Sequence, residues 1–373
     1  MKKTGVLAAG TIWFGAAVSI AEVEAGCRIG GDWTALVLGH LLGGLLLFAT
    51  GFIGARTRLN AMETTQGSFG RYGIRLFAVL NVLQLVGWTA VMTAQGAAAL
   101  GCLTESPPAG WCVILALLVV LWMFVGRGGA SRLGVICMLL LAALCAVLTV
   151  RLLGAGASSG SSEPVTVLGF WPAFEISIAL PLSWLPLISD YTKEADRPVT
   201  VAAVSAGTYT AVSMWMFSLG FLLVGSGSSS LVEGVIRQGH GFAGIGFLVI
   251  LLSSVITTYF DVNSSGESLT AVFKGVRPKF VGIVVAAIGA ALAVGGIMDH
   301  YVGFLELIAS VFAPMAAVLL VDRYLVRRGL AGWNLLAWFL GFLSYQALIF
   351  LDFRSTPAAL AISASIALLR RWK

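Results

Sequence analysis

The 373-residue chain is 58% hydrophobic and only 11% charged, with a mean hydropathy of +0.95. Soluble domains carry roughly a quarter charged residues, so water is excluded as the solvent of most of the chain, and no polar gap is long enough for a separate soluble domain. The formal net charge is +6, but the basic residues never cluster on one segment, which argues against a nucleic-acid partner.

A membrane-crossing helix needs about 20 consecutive apolar residues. Such runs predict twelve spans, in chain order 5–27, 33–54, 74–102, 111–126, 133–153, 168–189, 200–225, 242–272, 279–298, 302–322, 333–351 and 356–370. Every second gap holds the basic residues: Lys2 and Lys3; Arg56, Arg58, Arg71 and Arg75; Arg127 and Arg132; Lys193 and Arg197; Lys274, Arg277 and Lys279; Arg323, Arg327 and Arg328; Arg370, Arg371 and Lys373. The other gaps hold only Arg28, Arg151, Arg237 and Arg354. By the positive-inside rule both termini are then cytoplasmic, in a plasma (inner) membrane, and a miscounted helix would scramble the alternation downstream. The first span resembles a secretory signal in its position after Lys2 and Lys3. Glu22 and Glu24 occupy the place of a cleavage site, however, and removal would invert the charge pattern, so the span is expected to be retained.

Within the first span, Phe14-Gly15-Ala16-Ala17-Val18-Ser19-Ile20-Ala21-Glu22 combines small residues with an acid. Small residues commonly serve close helix packing in membranes, but Glu22 tips the reading toward a broken helix. The third span carries Gln84, Trp88 and Gln95 at mid-membrane. Cys27, Cys102, Cys112, Cys137 and Cys145 lack metal-ligand spacing and are read as small hydrophobes. Cys102 and Cys112 flank one outward loop and read as free thiols rather than a disulfide.

Residues 154–164, rich in Gly and Ser, form the most linker-like stretch. The span after it carries Pro172, Pro181 and Pro186, each removing a helical hydrogen bond, and predicts a second broken helix. Paired interrupted spans at matching positions are the sequence pointer to a binding site between two inverted repeats.

Charge at membrane depth costs several kcal/mol, so each acid inside a span is a functional candidate. Asp190 reads as a cytoplasmic helix cap or gate, Glu24 and Glu175 as rim groups within reach of water, Glu306 as a vestibule group and Glu267, with Lys274 just beyond it, as cytoplasmic. Asp261 differs. It lies in the most polar stretch of any span, and on a helix Ser254, Thr257 or Thr258, Asp261 and Ser265 share one stripe, with Asn263 nearby. Such a stripe offers hydroxyls for a small cation and a carboxylate for a ligand one turn away. Hydroxyls that bond back to their own helix are the plainer reading, but they account for neither Asp261 nor Asn263. Trp88 and Trp184 are candidate stacking faces for a flat ring, although tryptophans in membranes more often mark interfaces or packing.

The ordered set Gly51-Phe52-Ile53-Gly54-Ala55-Arg56-Thr57, Gly67-Ser68-Phe69-Gly70, Val86-Gly87-Trp88, Asp190-Tyr191-Thr192, Thr257-Thr258 with Asp261 and Ser265-Gly266, and Asp322-Arg323-Tyr324-Leu325 resembles the nucleobase:cation symporter family of cytosine and hydantoin permeases. The segment Trp13–Glu22 is similar to its hydroxymethylpyrimidine transporter branch. The resemblance implies an all-α fold with a five-plus-five inverted repeat (LeuT-like) and two additional C-terminal helices in a single domain. Repeat one would span about 5–153, the linker 154–167, repeat two about 168–322 and the accessory helices 333–370. It further implies a ring stacked on Trp88, closed from the other side by Ser183 and Trp184, and a sodium site built from Ser254, Thr257 and Thr258 with carbonyls near Ala16 and Ser19. Two departures weaken a cytosine assignment. Leu85 stands where that pattern has glutamine, with Gln84 beside it, and the asparagine-rich eighth helix of that pattern is replaced by one centred on Asp261. A carboxylate pairs with the exocyclic amine and a protonated ring nitrogen of an aminopyrimidine, which an asparagine does not do. Asp261, with Glu22, is the expected partner.

The expectation is therefore a symporter, monomeric in the lipid bilayer. It would import a pyrimidine-type heterocycle, with hydroxymethylpyrimidine ahead of cytosine, another nucleobase or hydantoin. It would use a sodium ion or a proton, without a cofactor or a chemical step. A membrane transferase is disfavoured because His40, His240 and His300 are dispersed, and a channel because one polar patch does not make a continuous pore.

Overall fold

The computed structural model describes residues 3–125, 127–154, 168–239, 241–270, 272–327, 329–351 and 355–369. The linker residues 155–167, His240 and the basic groups Lys2, Arg328, Arg354, Arg370, Arg371 and Lys373 lie outside the described residues.

Apart from one isolated bridge between Thr4 and Ala195, the described secondary structure is helical. The α-helices are α1 (Val6–Ala17), α2 (Ile20–Ile29), α3 (Trp33–Thr57), α4 (Ala61–Thr104), α5 (Pro108–Val125), α6 (Arg127–Gly154), α7 (Phe170–Ser183) and α8 (Ile188–Thr192). They continue with α9 (Pro198–Gly225), α10 (Leu231–Gln238), α11 (Ala243–Thr270), α12 (Pro278–Val294), α13 (Tyr301–Val321), α14 (Ala331–Phe350) and α15 (Ser355–Leu368). Among the described residues seven helices are long and apolar enough to cross a membrane, and α1 with α2, bent by 53°, makes an eighth. Three further apolar helices, α5, α12 and α15, are shorter. The remaining predicted span, 168–189, is occupied by α7 and α8 with a gap between them.

Most boundaries fall within a few residues of the hydropathy reading. The third span differs most, because its helix begins at Ala61 rather than near 74. Hydropathy misses this first turn because it is polar and built by capping. Asn60 accepts from the Glu63 N–H at 2.8 Å while Glu63 accepts from the Asn60 N–H at 2.9 Å, and Asp190 of α8 accepts from the Ala61 N–H at 2.9 Å. These bonds satisfy donors that a helix start leaves open, and Asp190 is a cap. Gly70, at φ 67°, then turns the chain between this segment and the span. A side chain there would be strained in the left-handed region and would meet Ala331 Cβ at 2.9 Å.

Packing sorts the helices into two bodies. In one, α1, α2 and α3 lie on α9, and α3 also lies on α7. In the other, α4 packs on α5, α11 and α12. The first body is held by backbone-close crossings: a Cβ on Gly26 would stand 2.3 Å from the Phe217 carbonyl, and one on Gly220 would stand 2.4 Å from the Val23 carbonyl. Outside both, α14 and α15 pack on each other and on α13.

Glu175 anchors this outer pair. Its carboxylate accepts from the Thr356 N–H at 2.8 Å, from the Tyr345 hydroxyl at 3.2 Å and from the Thr356 hydroxyl. The expected water-accessible rim position is corrected, because α14 and α15 cover it and leave Glu175 7% exposed. Glu175→Ala strands these donors in an apolar interior and is expected to lower stability by about 2 kcal/mol or more. Thermal unfolding in detergent checks this, and an unshifted midpoint would show the anchor to be dispensable. Half-buried Glu233 on α10 accepts from the Ser229 N–H at 2.8 Å, which holds its carboxyl below the ordinary value.

Candidate functional site

The two breaks face one another because each is built into the local sequence. After α1, Val18 leaves helical geometry at ψ 83° and Ser19 is extended (φ −137°, ψ 142°). The Ser19 hydroxyl accepts from the Ala21 N–H at 3.3 Å to start α2. After α7, short-range turns replace the helix: Leu185 N–H donates to the Leu182 carbonyl at 3.1 Å and Leu187 N–H to the Trp184 carbonyl at 3.0 Å. Pro181 and Pro186 supply no N–H to either element.

Between the breaks and the faces of α4, α6 and α11 lies a cavity of about 360 Å³. Its walls include Trp13, Ala16, Ser19 and Glu22 from α1 and α2, Leu85, Trp88 and Met92 from α4, Ser183, Trp184 and Tyr191 from the second break, and Ser253, Thr257 and Asp261 from α11. On one side Trp13 meets Trp184, Tyr191 and Tyr209 edge-on at ring-centre distances of 5.3, 5.7 and 5.9 Å. On the other, Trp88 is held edge-on by Phe304 at 5.1 Å and Tyr301 at 6.4 Å. Two fixed indoles thus border the space at low entropic cost.

Of the residues singled out in sequence, Trp88, Glu22, Ser183, Trp184 and Asp261 line this cavity together. Asp261 Oδ2 has no hydrogen-bond partner. Glu22, by contrast, is engaged by α9, with one oxygen 2.5 Å from the Tyr209 hydroxyl and the other 2.6 Å from the Ser213 hydroxyl. The Ser183 hydroxyl donates to the Leu180 carbonyl at 2.7 Å.

Gln84 and Asn263 stand elsewhere. The Gln84 amide donates to Asn81 at 2.8 Å and to the Ser183 carbonyl at 2.9 Å, tying α4 to the end of α7 from behind the cavity wall. Leu85 holds the wall position in its place. Asn263 donates to Glu267 at 3.3 Å on α11, away from the cavity.

The hydroxyl stripe of α11 is split. Ser253, Thr257 and Asp261, at four-residue intervals, face the cavity. Ser254 instead packs where a Cβ on Gly96 of α4 would stand 2.9 Å from its own Cβ, and Thr258, 2% exposed, lies outside the lining. Ala16, Ser19 and Thr257 thus border one space and Ser254 and Thr258 do not. Thr257 donates to the Ser253 carbonyl at 2.8 Å, which leaves its oxygen lone pairs to a cation. Among the described residues no group of three or more His, Cys, Asp or Glu has metal-site geometry.

Sequence reasoning missed Trp13, Tyr191, Tyr209 and His40. The first two sat inside quoted motifs without an assigned role. His40 is fully buried on α3, with Nε2 at 2.6 Å from Ser213 Oγ and Nδ1 at 2.8 Å from Ser177 Oγ.

A cavity where two broken helices meet, inside a multi-pass helical membrane protein, is the architecture of a membrane transporter fold. No family model matches the chain. It is 24% identical over 336 residues to the cytosine permease of Escherichia coli (strain K12), covering 87% of this chain and 79% of that protein. It is 24% identical over 367 residues to the hydantoin permease of Microbacterium maritypicum, covering 88% and 74%. In three dimensions it superposes on the inward-facing conformation of Mhp1 with TM-score 0.79 at 20% identity, covering 100% of this chain and 91% of the other. With Mhp1 in a closed conformation with bromovinylhydantoin bound, described as a nucleobase-cation-symport-1 family transporter, the TM-score is 0.77 at 20% identity, covering 99% and 93%. The chain has the Mhp1 fold.

Proposed function

We propose that the chain is a nucleobase:cation symporter that imports a pyrimidine-type heterocycle across the plasma membrane by alternating access. In this reading it is a monomer of twelve spans in a five-plus-five inverted repeat with two accessory helices and both termini cytoplasmic. The observation that carries the proposal is the unpartnered Asp261 carboxylate in a cavity bordered by Trp88 and Trp184. A volume of about 360 Å³ lies within the range of roughly 300–1,000 Å³ usual for small-molecule sites. Stacking between indoles with a carboxylate at the ring edge suits an aminopyrimidine, whose amine and protonated ring nitrogen both donate. Hydroxymethylpyrimidine is the substrate we favour. The similarity to cytosine and hydantoin permeases supports a small heterocycle.

The first break also supports an ion site. Carbonyls that end α1 near Ala16 and Ser19, with the hydroxyl of Thr257 and that of Ser253 opposite, are oxygen donors of the kind that bind sodium at discontinuous helices. The test is competition uptake in cells expressing the chain, using labelled hydroxymethylpyrimidine against cytosine, uracil, hydantoin and thiamine, with and without sodium. Saturable uptake blocked only by aminopyrimidines is the expected result. Absence of uptake for every heterocycle, with folded protein in the membrane, would overturn the substrate class.

A further inference from the structure

Behind the cavity wall runs a line of polar side chains that the substrate site does not use. Glu22 Oε2 lies 2.6 Å from Ser213 Oγ, and Ser213 Oγ lies 2.6 Å from His40 Nε2. His40 Nδ1 lies 2.8 Å from Ser177 Oγ and 3.1 Å from the Leu36 carbonyl, and Ser177 Oγ lies 2.8 Å from that same carbonyl. Glu22 is 2% exposed, and His40, Ser177 and Ser213 are fully buried. Glu22 alone of the four borders the cavity, so the line runs inward from it across α9 and α3 to α7.

Counting hydrogens along this line decides what it holds. A serine hydroxyl has one hydrogen and the Leu36 carbonyl only accepts, so His40 Nδ1 carries a hydrogen toward it. If Ser213 donates to an ionised Glu22, His40 Nε2 must donate to Ser213, and the imidazole is then a cation. If Glu22 carries the proton, it donates to Ser213, Ser213 donates to a bare Nε2, and both ends are neutral. The two forms interconvert by two concerted moves: the Glu22 O–H bond breaks as a Ser213 O–H forms, and the original Ser213 O–H breaks as Nε2–H forms. Removing the proton altogether leaves two acceptors facing each other in one of these contacts, which is costly where no water can intervene.

We propose that Glu22 and His40 hold one proton in common through Ser213, loaded and released at the cavity during each cycle, so that a proton is a co-transported ion. This rests on the transporter reading of the same cavity. The other ionisable groups around the pair are accounted for. On α9, Tyr209 donates to Glu22. On α13, Tyr301 donates to the Ala21 carbonyl at 2.9 Å. On α2, Glu24 pairs with Arg28 at 3.0 Å, with Cys27 between them in sequence. On α10, Glu233 pairs with Arg237 at 2.8 Å. Tyr191 on α8 and Asp261 on α11 share the cavity wall. Among the described residues, no cationic side chain hydrogen-bonds Glu22, so the imidazole is its proton partner.

Infrared difference spectroscopy of the full-length protein in lipid, across a pH titration, tests the shared proton without any substrate. In the wild type the carboxyl bands lost in Glu22→Gln and the imidazole bands lost in His40→Gln should move together at one midpoint. Ser213→Ala, which alters no cavity-lining residue, should split that midpoint into two. Independent midpoints in the wild type, unmoved by Ser213→Ala, would overturn the relay. In proteoliposomes with a trapped pH indicator, heterocycle uptake should acidify the lumen, and the proton flux per heterocycle should be lost in Ser213→Ala. Uptake with no acidification in the wild type would overturn the transport of the proton. A lack of uptake for all heterocycles would count against the substrate class, and the spectra would still decide the relay.

Discussion

Asp261→Asn is expected to lower uptake of an aminopyrimidine by about tenfold or more, because it exchanges charge-assisted bonds for neutral ones that are roughly half as strong. The amount of folded protein should hardly change, since Oδ2 of Asp261 has no partner in the protein to lose. The two readouts, initial uptake rate and yield of monodisperse protein, separate a ligand-facing carboxylate from a structural one. Equal losses in both would assign Asp261 to the fold and remove the main support for an aminopyrimidine. A substrate without two adjacent donors on one edge, such as a hydantoin, whose two N–H groups are separated by a carbonyl, should be far less sensitive to the change.

The second large effect is expected at the crossing of α2 and α9. Gly26→Val places methyl groups where even a Cβ would stand 2.3 Å from a backbone carbonyl, and backbone cannot yield as a flexible side chain does. Overpacking of this kind costs about 3 kcal/mol or more, so a markedly lower melting temperature and loss of uptake are expected. The damage should be local to the crossing. Glu22 lies one turn from Gly26, and prising α2 from α9 separates it from Tyr209 and Ser213. Gly207→Ala on the same α9, where a Cβ meets nothing within 4 Å, is the control and should be neutral or slightly stabilising. Similar melting temperatures for the two variants would show that the crossing tolerates separation.

The contrast between these residues shows what the amino-acid order reveals. Long apolar runs and the cluster of Pro181 and Pro186 mark helices and a break because membrane length and missing N–H groups act locally. Ser19 at the first break is a cap of the usual kind, and Glu22 beside it was conspicuous by its cost. The face of α11 was not legible. Ser253 and Ser254 are both hydroxyls on neighbouring rows of one helix, and only the packing of Gly96 against Ser254 decides which row meets the cavity. Asn263 and Gln84 were drawn in by polarity alone, which says that a partner exists but not which one. Glu175 was placed near water because its depth along the helix was readable and its cover by α15 was not. His40 gave no signal, because a single histidine in an apolar run reads as a core residue until its neighbours on α7 and α9 are known.

The Gln84 bond to the Ser183 carbonyl joins α4 to α7, and so joins one packed body to the other behind the cavity. A neutral bond of this kind contributes about 1 kcal/mol net, equivalent to roughly a fivefold change in the balance between two conformers. A latch of that size biases the resting population without locking it. In the proposed transport cycle, a heterocycle bridging Trp88 and Trp184 would need only a modest difference in affinity between open and shut forms to reverse the balance. Gln84 would thus act as a set-point in that proposed cycle, since it stands behind the cavity wall rather than in it.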